Sequence, residues 1–131
     1  MTKYHPEDEL PESFWQIIET FGDGKEAFRL RLKALEKERL IEMFKYFVLA
    51  RTEMADVMSS RPEGSGASED TLDDFADAIV AQGRDTYLET YYEKRPVPNR
   101  GKWEELETVG HLFTDTFYDN FGENIYNYID E

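Results

Sequence analysis

The stretch Ser68–Tyr87, S-E-D-T-L-D-D-F-A-D-A-I-V-A-Q-G-R-D-T-Y, decides how the rest of this chain is read. Leu72, Phe75, Ala76, Ile79 and Val80 recur at i, i+3, i+4, i+7 and i+8, which lays one apolar stripe along an α-helix. Ser68 or Asp70 is placed to cap that helix, and the carboxylates of its first turn suit the positive end of the helix dipole. Asp70, Asp73, Asp74 and Asp77 form a second stripe on the opposite side. Gly83 supplies the left-handed conformation that stops a helix. Arg84 follows it and is the only basic residue between Arg61 and Lys94. Set among carboxylates, Arg84 is expected to pair with them bidentately and hold this helix against the next.

Working towards the N-terminus, residues 25–58 look helical throughout yet cannot be one straight rod. At about 100° per residue, Phe28, Leu32 and Leu35 share one face. Leu40, Ile41, Phe44, Phe47 and Val48 share another, turned by roughly 160°. The chain is expected to break near Glu36–Arg39, and the later helix continues through Met54, Ala55 and Met58. Ahead of these, Phe14, Ile17, Ile18 and Phe21 form a buried stripe with Trp15 beside it. That helix starts near Pro11 or Glu12, since proline suits a first turn, and Gly22 and Gly24 end it. Residues 1–10 lack periodicity and read as a loose arm, leaving residues 11–131 as the helical domain.

Towards the C-terminus, a fifth helix from about Arg84 to Glu93 turns Tyr87, Leu88, Tyr91 and Tyr92 inward and Asp85, Glu89 and Glu93 outward. A sixth begins near Trp103, buries Leu106, Val109, Phe113 and Phe117, and closes at Gly122. Loops are expected over Ser59–Ala67 and Lys94–Lys102, both rich in turn-forming residues. The tail from residue 122 could be a further turn, a strand or unstructured. No run alternates long enough to demand a sheet. The reading is all-α: a single-domain bundle of five to six helices.

A length of 131 residues suits one domain, with roughly two thirds of the unfolded chain's surface removed from water. The absence of cysteine rules out disulfides, thiol nucleophiles and thiolate metal sites. Two histidines, His5 and His111, argue against a closed zinc site. The opening M-T-K-Y-H-P-E-D-E has no apolar run of a secretory leader, and no stretch approaches the ~20 apolar residues of a membrane span. A cytoplasmic protein is expected.

The net charge of -14 is unevenly spread. Residues 1–61 hold ten Lys/Arg against twelve Asp/Glu, a net of -2, and residues 62–131 hold five against seventeen, a net of -12. Such a field repels nucleic acid and anionic membranes and attracts basic partners, although it also serves simple solubility. Lys25, Arg29, Arg31, Lys33, Lys37 and Arg39 resemble a nucleic-acid stripe in isolation, but Glu26, Glu36 and Glu38 are interleaved with them.

Catalytic motifs are lacking: there is no G-x-S-x-G, no H-E-x-x-H and no glycine-rich phosphate loop. His111 and Asp115, at i and i+4, could serve as a base and its orienter, but no nucleophile stands in frame with them, and a helix-surface or interface histidine is the simpler reading. The aspartate stripe diverges along one helix and does not converge as a cation site requires. No catalytic residue, metal or cofactor is therefore assigned.

F-W-Q-I-I at 14–18, Leu32 and Leu35, Ile41 and Phe44, then Asp74-Phe75 through Gln82-Gly83-Arg84 and Tyr87 occur in a recognisable order. Over about residues 12–92 the chain resembles the small bacterial proteins of domain-of-unknown-function family 4240. The resemblance implies a small helical fold and brings no established reaction. The family's glycine-cysteine-serine run is replaced here by Gly66-Ala67-Ser68.

Together these readings point to a small acidic module that binds another protein with a basic surface, in its sharper form an immunity-type inhibitor of a bacterial toxin or enzyme. The residues expected to meet the partner are Asp70, Asp73, Asp74, Asp77, Glu89, Tyr92, Tyr118 and Tyr126. Two alternatives stand beside it. One is an enzyme or small-ligand binder with a pocket near Trp15, Arg84 and Tyr87. The other is a self-associating domain that dimerises through its C-terminal aromatics.

Overall fold

In the computed structural model, residues 5–59, 69–92 and 108–129 are described, with side chains for all of these except residues 59 and 69–73. Seven α-helices run through them: α1 Pro6–Glu9, α2 Glu12–Glu19, α3 Lys25–Lys33, α4 Lys37–Ser59, α5 Glu69–Ala81, α6 Arg84–Tyr91 and α7 Val109–Phe121. Short 3-10 turns follow α2 at Thr20–Asp23 and α7 at Ile125–Tyr128. Among the described residues there is no strand, so the class is all-α. Ser68 and the Asp70 side chain, the two candidate caps of α5, lie outside the described residues, as do Trp103, Leu106, residues 60–67 of the first expected loop and all of the second.

The count exceeds the expected five to six because residues 6–9 are not a loose arm. Pro6 opens a helical turn, and Pro6 and Leu10 are buried. The Tyr92 hydroxyl, at the end of α6, donates to both carboxylate oxygens of Glu7 at 2.6 and 2.8 Å. One proline, one leucine and one hydrogen bond thus fasten a segment whose composition carries no periodic signal.

The break between α3 and α4 falls at Ala34–Glu36, at the near edge of the region that the two opposed stripes demand. Phe28 and Leu32 of α3 are fully buried. On α4 the buried set is Leu40, Met43, Phe44, Phe47, Ala50, Met54 and Met58, while Ile41 and Val48 sit half-buried at its edge. The inward face is therefore rotated from the expected one towards Met43 and Ala50.

Helix α5 packs against α2, α4, α6 and α7. Its C-terminal half is enclosed on every side: Ala76, Asp77, Ala78, Ile79, Val80 and Ala81 are all buried. Small alanines let four helices approach it closely. Two ring clusters fill the space around it. Phe113 of α7 lies 5.3–5.7 Å, centroid to centroid, from Phe28, Phe44 and Phe47. Trp15 of α2 lies 4.9 Å from Phe14 and 5.4 Å from Tyr87. The buried Tyr87 hydroxyl donates to the Ala50 carbonyl at 2.8 Å, so it does not go unsatisfied in the core. All of the buried apolar side chains belong to one continuous core.

The C-terminal tail resolves the choice left open by the sequence. Gly122, at φ +69°, ends α7 in the left-handed region, and its N–H donates to the Tyr118 carbonyl at 2.8 Å. The chain then folds back so that Ile125 is fully buried. Lys37 at the start of α4 pairs with Glu123, whose carboxylate also accepts from the Tyr128 hydroxyl.

Truncating Phe113 to alanine removes the ring that three helices share and is expected to cost about 3–5 kcal/mol; chemical denaturation checks this, and a loss under ~1 kcal/mol would contradict the packing described. The hydrogen bond to Glu7 pushes the Tyr92 hydroxyl up to about 12. Ultraviolet titration should therefore show one tyrosine ionising near that value, and Glu7→Gln should bring it down.

Candidate functional site

Arginine and aspartate on inward faces need a reason to be there, and α4 and α5 supply one of each. Arg51 falls one turn after Phe47 and Val48, and Asp77 falls between Ala76 and Ala78. Arg51 Nε donates to Asp77 Oδ1 at 2.6 Å and its terminal nitrogen approaches Oδ2 at 3.4 Å. The two side chains are only 19 % and 9 % exposed. Burial alone works against the Arg51 charge, but the Asp77 carboxylate and the Tyr126 hydroxyl more than offset it and hold the guanidinium above its ordinary pKa.

The guanidinium also lies over the Phe47 ring, 4.9 Å from its centroid. The first turn of α7 runs beside both groups. A Cβ added to Gly110 would sit 2.8 Å from an Arg51 nitrogen and 3.2 Å from the Phe47 ring. Glycine at 110 is thus what allows α7 to close over the ion pair.

This ion pair forms the floor of a cleft of about 450 Å³. One wall is α7, with His111, Thr114, Asp115 and Tyr118; the other is the C-terminal turn, with Asn124 and Tyr126. The turn is set by Asn124, whose side chain accepts from the Tyr126 backbone N–H at 3.0 Å. Tyr126 packs edge-on against Phe44 at 5.2 Å, which anchors its ring while leaving the residue 43 % exposed. Tyr118 projects further, at 64 %. His111 and Asp115 are exposed on the same wall, and among the described residues neither forms an ion pair with any other group at the cleft.

Of the residues expected to meet a partner, Asp77, Tyr118 and Tyr126 converge on this cleft. Asp77 does so as part of its floor, which corrects its expected place on a solvated stripe: α5 is enclosed there by α4 and α7, and the carboxylate goes to Arg51. Asp74 is exposed on α5 but does not line the cleft, and the side chains of Asp70 and Asp73 lie outside the described residues. Glu89 is half-exposed on α6, and the Tyr92 hydroxyl is committed to Glu7. Neither belongs to the cleft.

Arg84 does not hold α5 to α6 by an ion pair among the described residues. Its backbone is what is held: Glu19 of α2 receives the start of α6, its Oε2 accepting from the Arg84 backbone N–H at 3.2 Å. Gly83, at φ +102°, adopts a conformation closed to other residues, and a Cβ there would press on the Glu19 carboxylate at 3.3 Å. Of the residues expected around the alternative pocket, Trp15 and Tyr87 are buried against each other in the core, and Arg84 is half-exposed at the start of α6.

No group of three or more His, Asp or Glu side chains is placed to hold a metal among the described residues. No helix there is long and apolar enough to cross a membrane.

Asp77→Asn strands a buried guanidinium and is expected to cost about 3–5 kcal/mol, whereas Arg84→Met should stay within ~0.5 kcal/mol of the parent. Parallel urea denaturation separates the two, and an Arg84→Met loss as large as that of Asp77→Asn would reverse the assignment.

No protein-family model matches this chain, and no curated protein or solved structure does. The likeness to family 4240 is accordingly carried by the quoted residues alone.

Proposed function

We propose that this protein works by binding another protein of basic surface through the rim of the α4/α5/α7 cleft. The observation that carries this reading is the pair of exposed tyrosines, Tyr118 and Tyr126, flanking one cleft in the acidic half of the chain. Tyrosine gives large rigid contact area at low entropic cost, and it is enriched among the residues that dominate binding energy. Asp115 beside Tyr118, together with the net charge of -14, favours a cationic partner.

The sharper form is an immunity-type inhibitor, acting in the cytoplasm to neutralise a bacterial toxin or enzyme whose own cleft is basic. Long-range attraction would speed the encounter, and the aromatic anchors would slow release. A compact helical body with a preformed cleft suits such a role because little order has to be gained on binding. The resemblance to family 4240 is consistent with a small bacterial helical protein.

Affinity capture from the source cells, run in parallel with wild type and a Tyr118→Ala/Tyr126→Ala variant, tests the reading. Wild type should retain one basic protein, and the variant should lose it by about 2 kcal/mol or more per anchor while remaining folded by circular dichroism. The association rate should fall steeply as salt rises. Equal retention by both proteins, or a rate indifferent to ionic strength, would contradict it. A concentration-dependent dimer that the double variant abolishes would assign the patch to self-association instead.

A further inference from the structure

We propose that the cleft receives the arginine side chain of a partner protein, an inference that rests on the protein-binding reading above. The floor of the cleft carries a positive charge, yet that charge is spent. Arg51 directs Nε and a terminal nitrogen at Asp77, and its face is taken by Phe47. An incoming anion would meet a guanidinium already committed and, on the wall, the carboxylate of Asp115. A cation meets Asp115 as a carboxylate that forms no ion pair among the described residues. It also meets two tyrosine rings, Tyr118 at 64 % exposure and Tyr126 at 43 %, the latter with one edge against Phe44.

Aromatic faces beside a carboxylate favour arginine over lysine. The planar guanidinium stacks on a ring and offers a fork of donors to both oxygens of one carboxylate, whereas an ammonium is a more strongly hydrated point charge. The volume of about 450 Å³ falls within the range of about 300–1,000 Å³ typical of sites that enclose small ligands, which leaves room for one long side chain and bridging water. The Thr114 hydroxyl donates to the His111 carbonyl at 3.0 Å within α7, so towards a ligand its oxygen can only accept, which suits a cation. Asn124 is occupied in holding the turn.

Titration of the isotopically labelled protein with N-acetyl-arginine amide, followed by NMR, tests the inference, with N-acetyl-citrulline amide as the uncharged isostere and N-acetyl-lysine amide as the other cation. Arginine amide should give saturable shifts centred on Thr114, Asp115, Tyr118 and Tyr126, with citrulline at least tenfold weaker. Asp115→Asn and Tyr118→Ala, both at exposed positions, should each weaken binding tenfold with unchanged melting temperature. Absence of saturable shifts at those residues, equal binding of citrulline, or indifference to Asp115→Asn would overturn the proposal. Tighter binding of the lysine amide would overturn the assignment to arginine. Partner capture that depends on Tyr118 and Tyr126 while the arginine probe leaves the cleft unmoved would sink this inference alone and leave the protein-binding reading standing.

Discussion

A guanidinium lying over the Phe47 ring and against the Asp77 carboxylate joins three helices at one point. Arg51 belongs to α4, Asp77 to α5, and Gly110 brings the first turn of α7 against Arg51 and Phe47. Charge this deep is costly to desolvate, and it is tolerated only where a partner and further hydrogen bonds recover the loss. The same constraint shapes the surface. Helix α7 runs close to Arg51 and Phe47 at Gly110 and carries His111, Asp115 and Tyr118 along one wall of the cleft. The C-terminal turn completes that cleft through Tyr126, whose ring rests on Phe44. Core and candidate site are therefore one construction seen from two sides.

The rest of the molecule is built from apolar contact. Phe113 at the centre of three phenylalanines and Trp15 against Tyr87 are rings whose mutual geometry adds to their burial. The buried Tyr87 hydroxyl in the second cluster is satisfied locally, by the Ala50 carbonyl. At the periphery, single hydrogen bonds and ion pairs set direction. Glu19 receives the N-terminus of α6, Glu7 receives Tyr92, and Glu123 receives Lys37. Such exposed pairs contribute little stability each, but they specify which segment lies where.

Much of this was legible from spacing alone. The stripe of Phe14, Ile17, Ile18 and Phe21 is buried as its period requires, and the opposed stripes of 28–35 and 40–48 do force a break. Gly83 and Gly122 stop helices where a positive φ was expected. Periodicity failed where burial came from enclosure and not from a stripe. Asp77 lies beside Val80 on the helical wheel, and only the arrival of α4 and α7 decides that it faces inward. Arg51 carried a signal that went unread: a lone arginine between Phe47 and Met54 on an apolar face calls for a buried acidic partner. Arg84, prominent because it stands alone in sequence, is held through its backbone N–H by Glu19 and forms no ion pair among the described residues. The cleft joins residues 51, 77, 111–118 and 124–126, and no local pattern connects positions so far apart in the chain.

The most direct test of this account is the NMR signal of the Arg51 side chain in the folded protein at neutral pH. A buried, paired guanidinium should give a resolved Nε–H resonance that exchanges slowly with water. It should show nuclear Overhauser contacts to the Phe47 ring and to the Gly110 α-protons. An Arg51 Nε–H that exchanges as fast as those of exposed arginines, with no contact to either residue, would contradict it.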